Sequence, residues 1–125
     1  MARMKEEIRD YESAVRYLRG KEARTIGHNT SIVTSWGPPH PCGKQAIGVL
    51  YHSTVVLWWH PDGTLELWTG GWETSTTKQR LNAFLPNPYR VYAKNGDWRL
   101  WDFENGLDYT FHDGMRVYPE ACHAE

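Results

Sequence analysis

The sequence predicts an α+β fold: a single domain with a twisted, mostly antiparallel β-sheet of β-hairpins, an N-terminal helix and one short internal helix. Three observations carry that prediction. An early stretch repeats apolar residues at helical spacing. Two blocks of β-branched and aromatic runs are punctuated by Pro-Asp-Gly, Asn-Gly and Asp-Gly turns. Between them lies a segment opened by threonines and stopped by prolines. Residues 1–20 are assigned to the first helix, 24–118 to a β-rich core holding a helix at 76–85, and 119–125 to a tail.

The first helix is expected over residues 3–19, where Ile8, Tyr11, Val15 and Leu18 recur on one face. Glu12 precedes Arg16 by four positions, a supportive pairing, and Gly20 suits the position after the helix end. Residues 21–29 read as a polar connector. A strand follows over 30–36, then the segment Gly37-Pro38-Pro39-His40-Pro41-Cys42-Gly43, whose prolines and glycines make it a loop. Residues 46–52 and 54–59 read as one long strand with a kink near Ser53.

His60-Pro61-Asp62-Gly63 is a strong turn signal, because Pro presets φ and Gly accepts a positive one. Residues 64–69 return antiparallel, with Leu65 and Leu67 on one face and Glu66 and Trp68 on the other. Gly70-Gly71 ends that strand. The internal helix is expected over 76–85, with Thr76 and Gln79 as a capping box and Leu81, Phe84 and Leu85 as the buried stripe. Pro86 and Pro88 prevent its continuation. Residues 89–94 and 98–103 flank Asn95-Gly96, and 109–112 and 115–118 flank Asp113-Gly114, so two hairpins are expected.

Bulk properties narrow the functional classes. A net charge of −1 over 125 residues supplies no global basic field, so any polyanion must be held by a local patch. The longest apolar run, residues 55–59, falls far short of a membrane span, and the N-terminal residues lack the apolar segment of a signal peptide. The two cysteines, Cys42 and Cys122, make no disulfide framework and fit a reducing cytosol at least as well as a single bridge. Seven Trp and seven Tyr in so small a chain favour a stacking or binding surface in addition to a core.

Two places stand out as candidate sites. At the start of the internal helix, unpaired backbone N–H groups and the helix dipole favour an anion. Helix stability alone would place acids there, yet the chain has Thr74, Thr76, Thr77, Lys78 and Arg80. Lys78 and Arg80 flank the buried stripe on opposite sides, so they could bracket a phosphate. The competing reading is a capped helix with solvated cations.

The second place is the hairpin over 89–103. A two-residue turn sets Lys94 opposite Asp97, Tyr92 opposite Arg99 and Arg90 opposite Trp101. Arg90, Tyr92, Lys94, Arg99 and Trp101 then share a face, with Val91, Ala93, Trp98 and Leu100 on the core side. Cations between flat rings suit single-stranded nucleic acid, at about 1–3 kcal/mol per stacked base. Plain cross-strand cation–π pairing is the competing reading.

Other chemistries fare worse. His40, Cys42, Cys122 and His123 lack the paired spacing of a zinc module, so no metal and no cofactor is expected. His28, His52, His60 and His112 are scattered, and His112-Asp113-Gly114 is better explained as a turn. No HExxH, Gly-x-Ser-x-Gly or Walker phosphate loop is present, which leaves a hydrolase or nuclease assembled from scattered residues as the third-ranked class.

From Arg24 onward the chain resembles a family of small uncharacterised phage, prophage-like and metagenomic proteins. The resemblance is carried by Ile26-Gly27-His28-Asn29-Thr30, by Thr54-Val55-Val56 and by Pro61-Asp62-Gly63. It continues through Gly70-Gly71-Trp72-x-Thr74-x-Thr76-Thr77-Lys78-x-Arg80-x-Asn82 and Asp113-Gly114-Met115. The first block more often reads Gly-Asn-Asn-Thr, so His28 is a departure. The resemblance implies a phage or mobile-element origin and action in the host cytoplasm, and adds Asn29, Thr30 and Trp72 to the positions of interest.

The expected function is therefore that of a small non-enzymatic phage protein. It would bind single-stranded DNA or RNA through Thr74, Thr76, Thr77, Lys78 and Arg80 together with Arg90, Tyr92, Arg99 and Trp101. The main alternative is a protein-interaction module that inhibits a host enzyme or defence complex, with exposed aromatics as its hot spots. No membrane partner is expected, and self-association is left open.

Overall fold

The computed structural model describes residues 7–118, which form two helices and nine strands. The first helix, α1, is Tyr11–Leu18. The strands β1 (Ala23–Gly27), β2 (Thr30–Thr34), β3 (Ile47–Tyr51), β4 (Thr54–Trp59) and β5 (Leu65–Leu67) follow. The second helix, α2 (Ser75–Phe84), leads into β6 (Tyr89–Lys94), β7 (Asp97–Asp102), β8 (Leu107–Thr110) and β9 (Met115–Val117). The fold is α+β with antiparallel pairing throughout, as the sequence predicts, but the strands divide into two sheets. Six follow the order β1-β2-β3-β4-β5-β9 and three the order β6-β7-β8.

Helix α1 packs on β1, β2 and β3, while α2 packs on β4 of the large sheet and on β6 of the small one. One apolar cluster runs through both sheets and includes Trp59, Phe84, Leu81, Leu57, Leu67, Val91 and Leu100. Trp59 and Phe84 meet edge to face at 6.0 Å, which ties α2 to the large sheet. Asn82 of α2 serves the other side. Its amide donates to the Val91 carbonyl at 2.9 Å and its oxygen accepts from the Val91 N–H at 2.7 Å. The side chain thus supplies the hydrogen bonds of a missing neighbour strand at the open edge of β6.

Several expectations are corrected. The first helix begins at Tyr11, well inside the expected 3–19, because Asp10 and Ser13 form a reciprocal capping box; positions 3–6 lie outside the described residues. Ile8 is buried ahead of the helix, and the buried helical face is Ala14, Tyr17 and Leu18, leaving Val15 exposed. The connector 21–29 contains β1. That five-residue edge strand buries only Ile26 and carries Arg24, Thr25 and Gly27, so its composition imitates a loop.

Residues 46–59 are two strands. His52 takes a left-handed conformation, φ 56°, and the chain reverses at His52-Ser53 without the usual glycine or asparagine in the turn. The cap of α2 is Thr74, whose hydroxyl accepts from the Thr77 N–H at 3.2 Å, in place of the expected Thr76–Gln79 box. Asp113-Gly114 joins no hairpin. It carries the chain from β8 in the small sheet to β9, which pairs with β5 in the large one.

The Asp113 carboxylate explains that crossing. It accepts from the Thr69 N–H and hydroxyl, each at 2.8 Å, and from the Gly70 N–H at 3.0 Å. Gly70, at φ 66°, lies so close to Thr54 that an added Cβ would sit 2.8 Å from its methyl group. The expected hairpin at Asn95-Gly96 forms in the expected register, with Lys94 opposite Asp97, Tyr92 opposite Arg99 and Arg90 opposite Trp101. The expected tail, 119–125, lies outside the described residues.

Candidate nucleic-acid interface

Helix α2 begins beside the turn between β3 and β4. Between them lies a cleft of about 350 Å³. Its walls carry six hydroxyl side chains, Ser53, Thr54, Thr69, Thr74, Thr76 and Thr77, and the rings of Tyr51, His52 and Trp72. The first turn of α2 contains no acidic residue. Partially positive N–H groups and hydroxyls there are matched to an oxyanion. Trp72 is 64% exposed, so its indole is open to a flat partner.

The hydroxyls are also bonded to one another. Thr74 Oγ1 lies 3.1 Å from Thr76 Oγ1 and 3.0 Å from Thr77 Oγ1. Thr77 is buried and Thr74 and Thr76 are exposed, so the last two present the accessible oxygens.

The two cations do not bracket this cleft. Lys78 leans away, its Nζ 5.7 Å from the centre of the Trp98 ring. Arg80 is buried at 5% exposure. Its Nε donates to Thr30 Oγ1 at 2.9 Å, and it also donates to the His28 carbonyl at 3.3 Å. Its guanidinium lies over the Tyr51 ring at 5.2 Å. Tyr51 also lines the cleft, so Arg80 supports one wall from behind. Thr30 is buried and donates to the His28 carbonyl at 2.7 Å. Asn29 is exposed with φ 51°, and its carbonyl accepts from the His52 N–H at 2.9 Å. Asn29, Thr30 and Arg80 therefore join three segments: the β1–β2 turn, the β3–β4 turn and α2.

The small sheet presents the second candidate. Arg90, Tyr92, Lys94, Arg99 and Trp101 share its outer face through the register of β6 and β7. Strand β8 adds Asp108 opposite Trp101. Asp108 accepts from Arg99 Nε at 2.8 Å and from the Tyr92 hydroxyl. The Tyr92 hydrogen bond first, and then Arg99, hold the Asp108 carboxyl below its ordinary range. The face thus keeps Arg90 and Lys94 exposed, but Arg99 is already paired with an anion.

Sequence spacing missed a third assembly, on the face of the large sheet that carries Trp58, Glu66 and Trp68. His40 Nε2 lies 2.8 Å from His60 Nδ1, and His60 Nε2 lies 2.9 Å from Glu66 Oε1. Glu66 also accepts from the Trp68 indole at 2.7 Å and from Arg116 at 3.3 Å. The one hint in the sequence is that His40 and His60 each precede a proline at a turn. Among the described residues, no group of three or more His, Cys, Asp and Glu is arranged to hold a metal ion. Cys42 is a free, exposed thiol.

Residues 8–118 match the Kyanoviridae Gp96 protein family. The chain belongs to this family. Kyanoviridae Gp96 is a phage protein family, which agrees with the expected phage origin. The matched span takes in every strand and both helices, so the cleft and the outer face of the small sheet are parts of the Gp96 domain itself. No curated protein and no solved structure matches the chain. No described helix is long and apolar enough to cross a membrane.

Proposed function

We propose that this Gp96-family phage protein is a non-enzymatic binder of single-stranded nucleic acid acting in the host cytoplasm, and that the cleft at the start of α2 is its primary contact. The observation that carries the reading is the meeting of a hydroxyl-lined, acid-free helix start with an open tryptophan in one 350 Å³ cleft. A phosphate would be held by Thr74, Thr76 and the first N–H groups of α2, and a base would stack on Trp72. Lys78, outside the cleft, would contribute charge along the path of the strand. The outer face of the small sheet, with Arg90, Lys94 and Trp101, would extend the contact for longer strands. Arg80 acts as scaffold, and Arg99 is available only in exchange for Asp108.

The test is fluorescence anisotropy with labelled single-stranded DNA and RNA at low salt, repeated across a salt series. Binding should weaken steeply as salt rises. Trp72→Ala and Lys78→Ala should each reduce affinity, with the melting temperature unchanged for exposed Trp72 and lowered only slightly for Lys78, whose fold contact is the Trp98 ring. Absence of retention at low salt would overturn the reading. A second reading, docking to a host protein, is favoured by Trp36 and Trp72, 74% and 64% exposed. An aromatic-centred protein interface would show little salt dependence.

A further inference from the structure

We infer that His40, His60 and Glu66 form a two-proton latch that pins the 37–45 loop to the large sheet and releases it when both histidines are protonated. The inference follows from counting protons. Glu66 accepts on both carboxylate oxygens, from His60, Trp68 and Arg116. His60 Nε2 must therefore carry a hydrogen, and His60 Nδ1 faces His40 Nε2 at 2.8 Å with room for one proton between them.

With both rings neutral, His40 Nε2–H donates to His60 Nδ1. One added proton is accommodated, because either ring can be the cation while the other offers a lone pair. A second proton leaves two N–H groups pointing at each other between rings whose centroids are 4.9 Å apart. That contact cannot hold.

The charged groups that face the pair include Glu66 from β5, Asp62 from the β4–β5 turn and Arg116 from β9, which is itself held by Glu66. The Asp62 carboxyl sits below its ordinary range mainly through the Thr64 N–H, with smaller contributions from His40 and His60. The latch has a defined mechanical load. His40 heads a turn in which its N–H donates to the Lys44 carbonyl and its own carbonyl accepts from the Gly43 N–H. The same loop begins beside Trp36, which stands edge-on to Trp58 at 6.3 Å. Loss of the histidine contact therefore loosens the loop beside Trp36, which is 74% exposed.

The experiment is an NMR titration of the two imidazoles in the full chain, with hydrogen-exchange protection of the His40 and Gly43 amides measured at each pH. Both rings should respond in each of two coupled steps. Amide protection should fall about fivefold in the second step alone, the scale of one lost hydrogen bond. His40→Gln keeps a neutral donor and acceptor in place of the ring and should make that protection independent of pH. Two independent single-proton curves would overturn the latch. So would a fall in protection that persists in His40→Gln.

Discussion

Arg80 offers the sharpest test of how the threonine-rich block works. By composition it belongs to a phosphate site. By position it is a buried tie between α2 and the two turns beneath it. Replacing it with alanine removes a hydrogen bond to Thr30 Oγ1, a longer one to the His28 carbonyl, and the stack on Tyr51. Hydrogen bonds from a charged donor are each worth about 1.5–3 kcal/mol net, and the longer of these belongs at the bottom of that range. The stack adds about 0.5–1 kcal/mol. Thr30 keeps its bond to His28, which limits the damage. We expect Arg80→Ala to lose about 3 kcal/mol, on the order of 10 °C in melting temperature for a chain of this size. Arg80→Met, which refills the volume without a charge to desolvate, should lose about half as much. Urea denaturation with an unchanged m-value measures both. A stability change in Arg80→Ala below about 0.5 kcal/mol, together with a loss of about one unit in the salt slope of oligonucleotide binding, would refute the tie and make Arg80 a phosphate ligand.

Four further outcomes follow from the same geometry. Asn82→Ala strips two hydrogen bonds from the Val91 backbone and should cost about 1–3 kcal/mol in urea denaturation, with faster exchange at the Val91 amide. Gly48→Ala places a Cβ 2.7 Å from the Trp58 ring and from a Val55 methyl, and should destabilise by about 1–3 kcal/mol with a changed near-ultraviolet circular dichroism spectrum. Asp108→Asn frees Arg99 on the outer face of the small sheet; affinity for strands long enough to reach that face should rise, and no change would remove the face from the binding path. The Asp10 carboxyl is held below its ordinary value chiefly by the Ser13 hydroxyl. Its capping contribution is thus fully present above the unfolded value of 3.8 and lost as pH falls through the lower folded value. Asp10→Ala should remove that acid-limb dependence together with about 1 kcal/mol of stability, read from melting curves between pH 2 and 5.

Much of the fold was legible because local chemistry and tertiary structure agree. Asn95-Gly96 sets the register of β6 and β7 without outside help, and the register of the outer face follows from it. The turn at His60–Gly63 is equally local. The failures share a cause. At His52-Ser53 a strand pair reverses with His52 in the left-handed region, held by the His52 N–H bonding to the Asn29 carbonyl in the next turn. At Asp113-Gly114 a dipeptide that signals a hairpin instead bridges two sheets, because its carboxylate is consumed by Thr69 and Gly70, more than forty positions earlier. In both places a contact distant in sequence overrides the local preference.

The same conflict governs the site. A helix start that binds phosphate and a helix start that bolts a domain together draw on the same residues: threonine hydroxyls, an arginine, and glycines that admit a close backbone. The structure divides the threonine-rich block between those uses. Gly70 makes room for Thr54, Thr77 and Arg80 are buried, and Asn82 caps the edge of β6. Those positions are explained by the fold alone. Trp72, Thr76 and Lys78 are not, because the first two are exposed and the third only rests on the Trp98 ring. On the proposed reading, the ligand contacts of the block fall on Trp72, Thr76 and Lys78, the residues the fold would lose least by giving up.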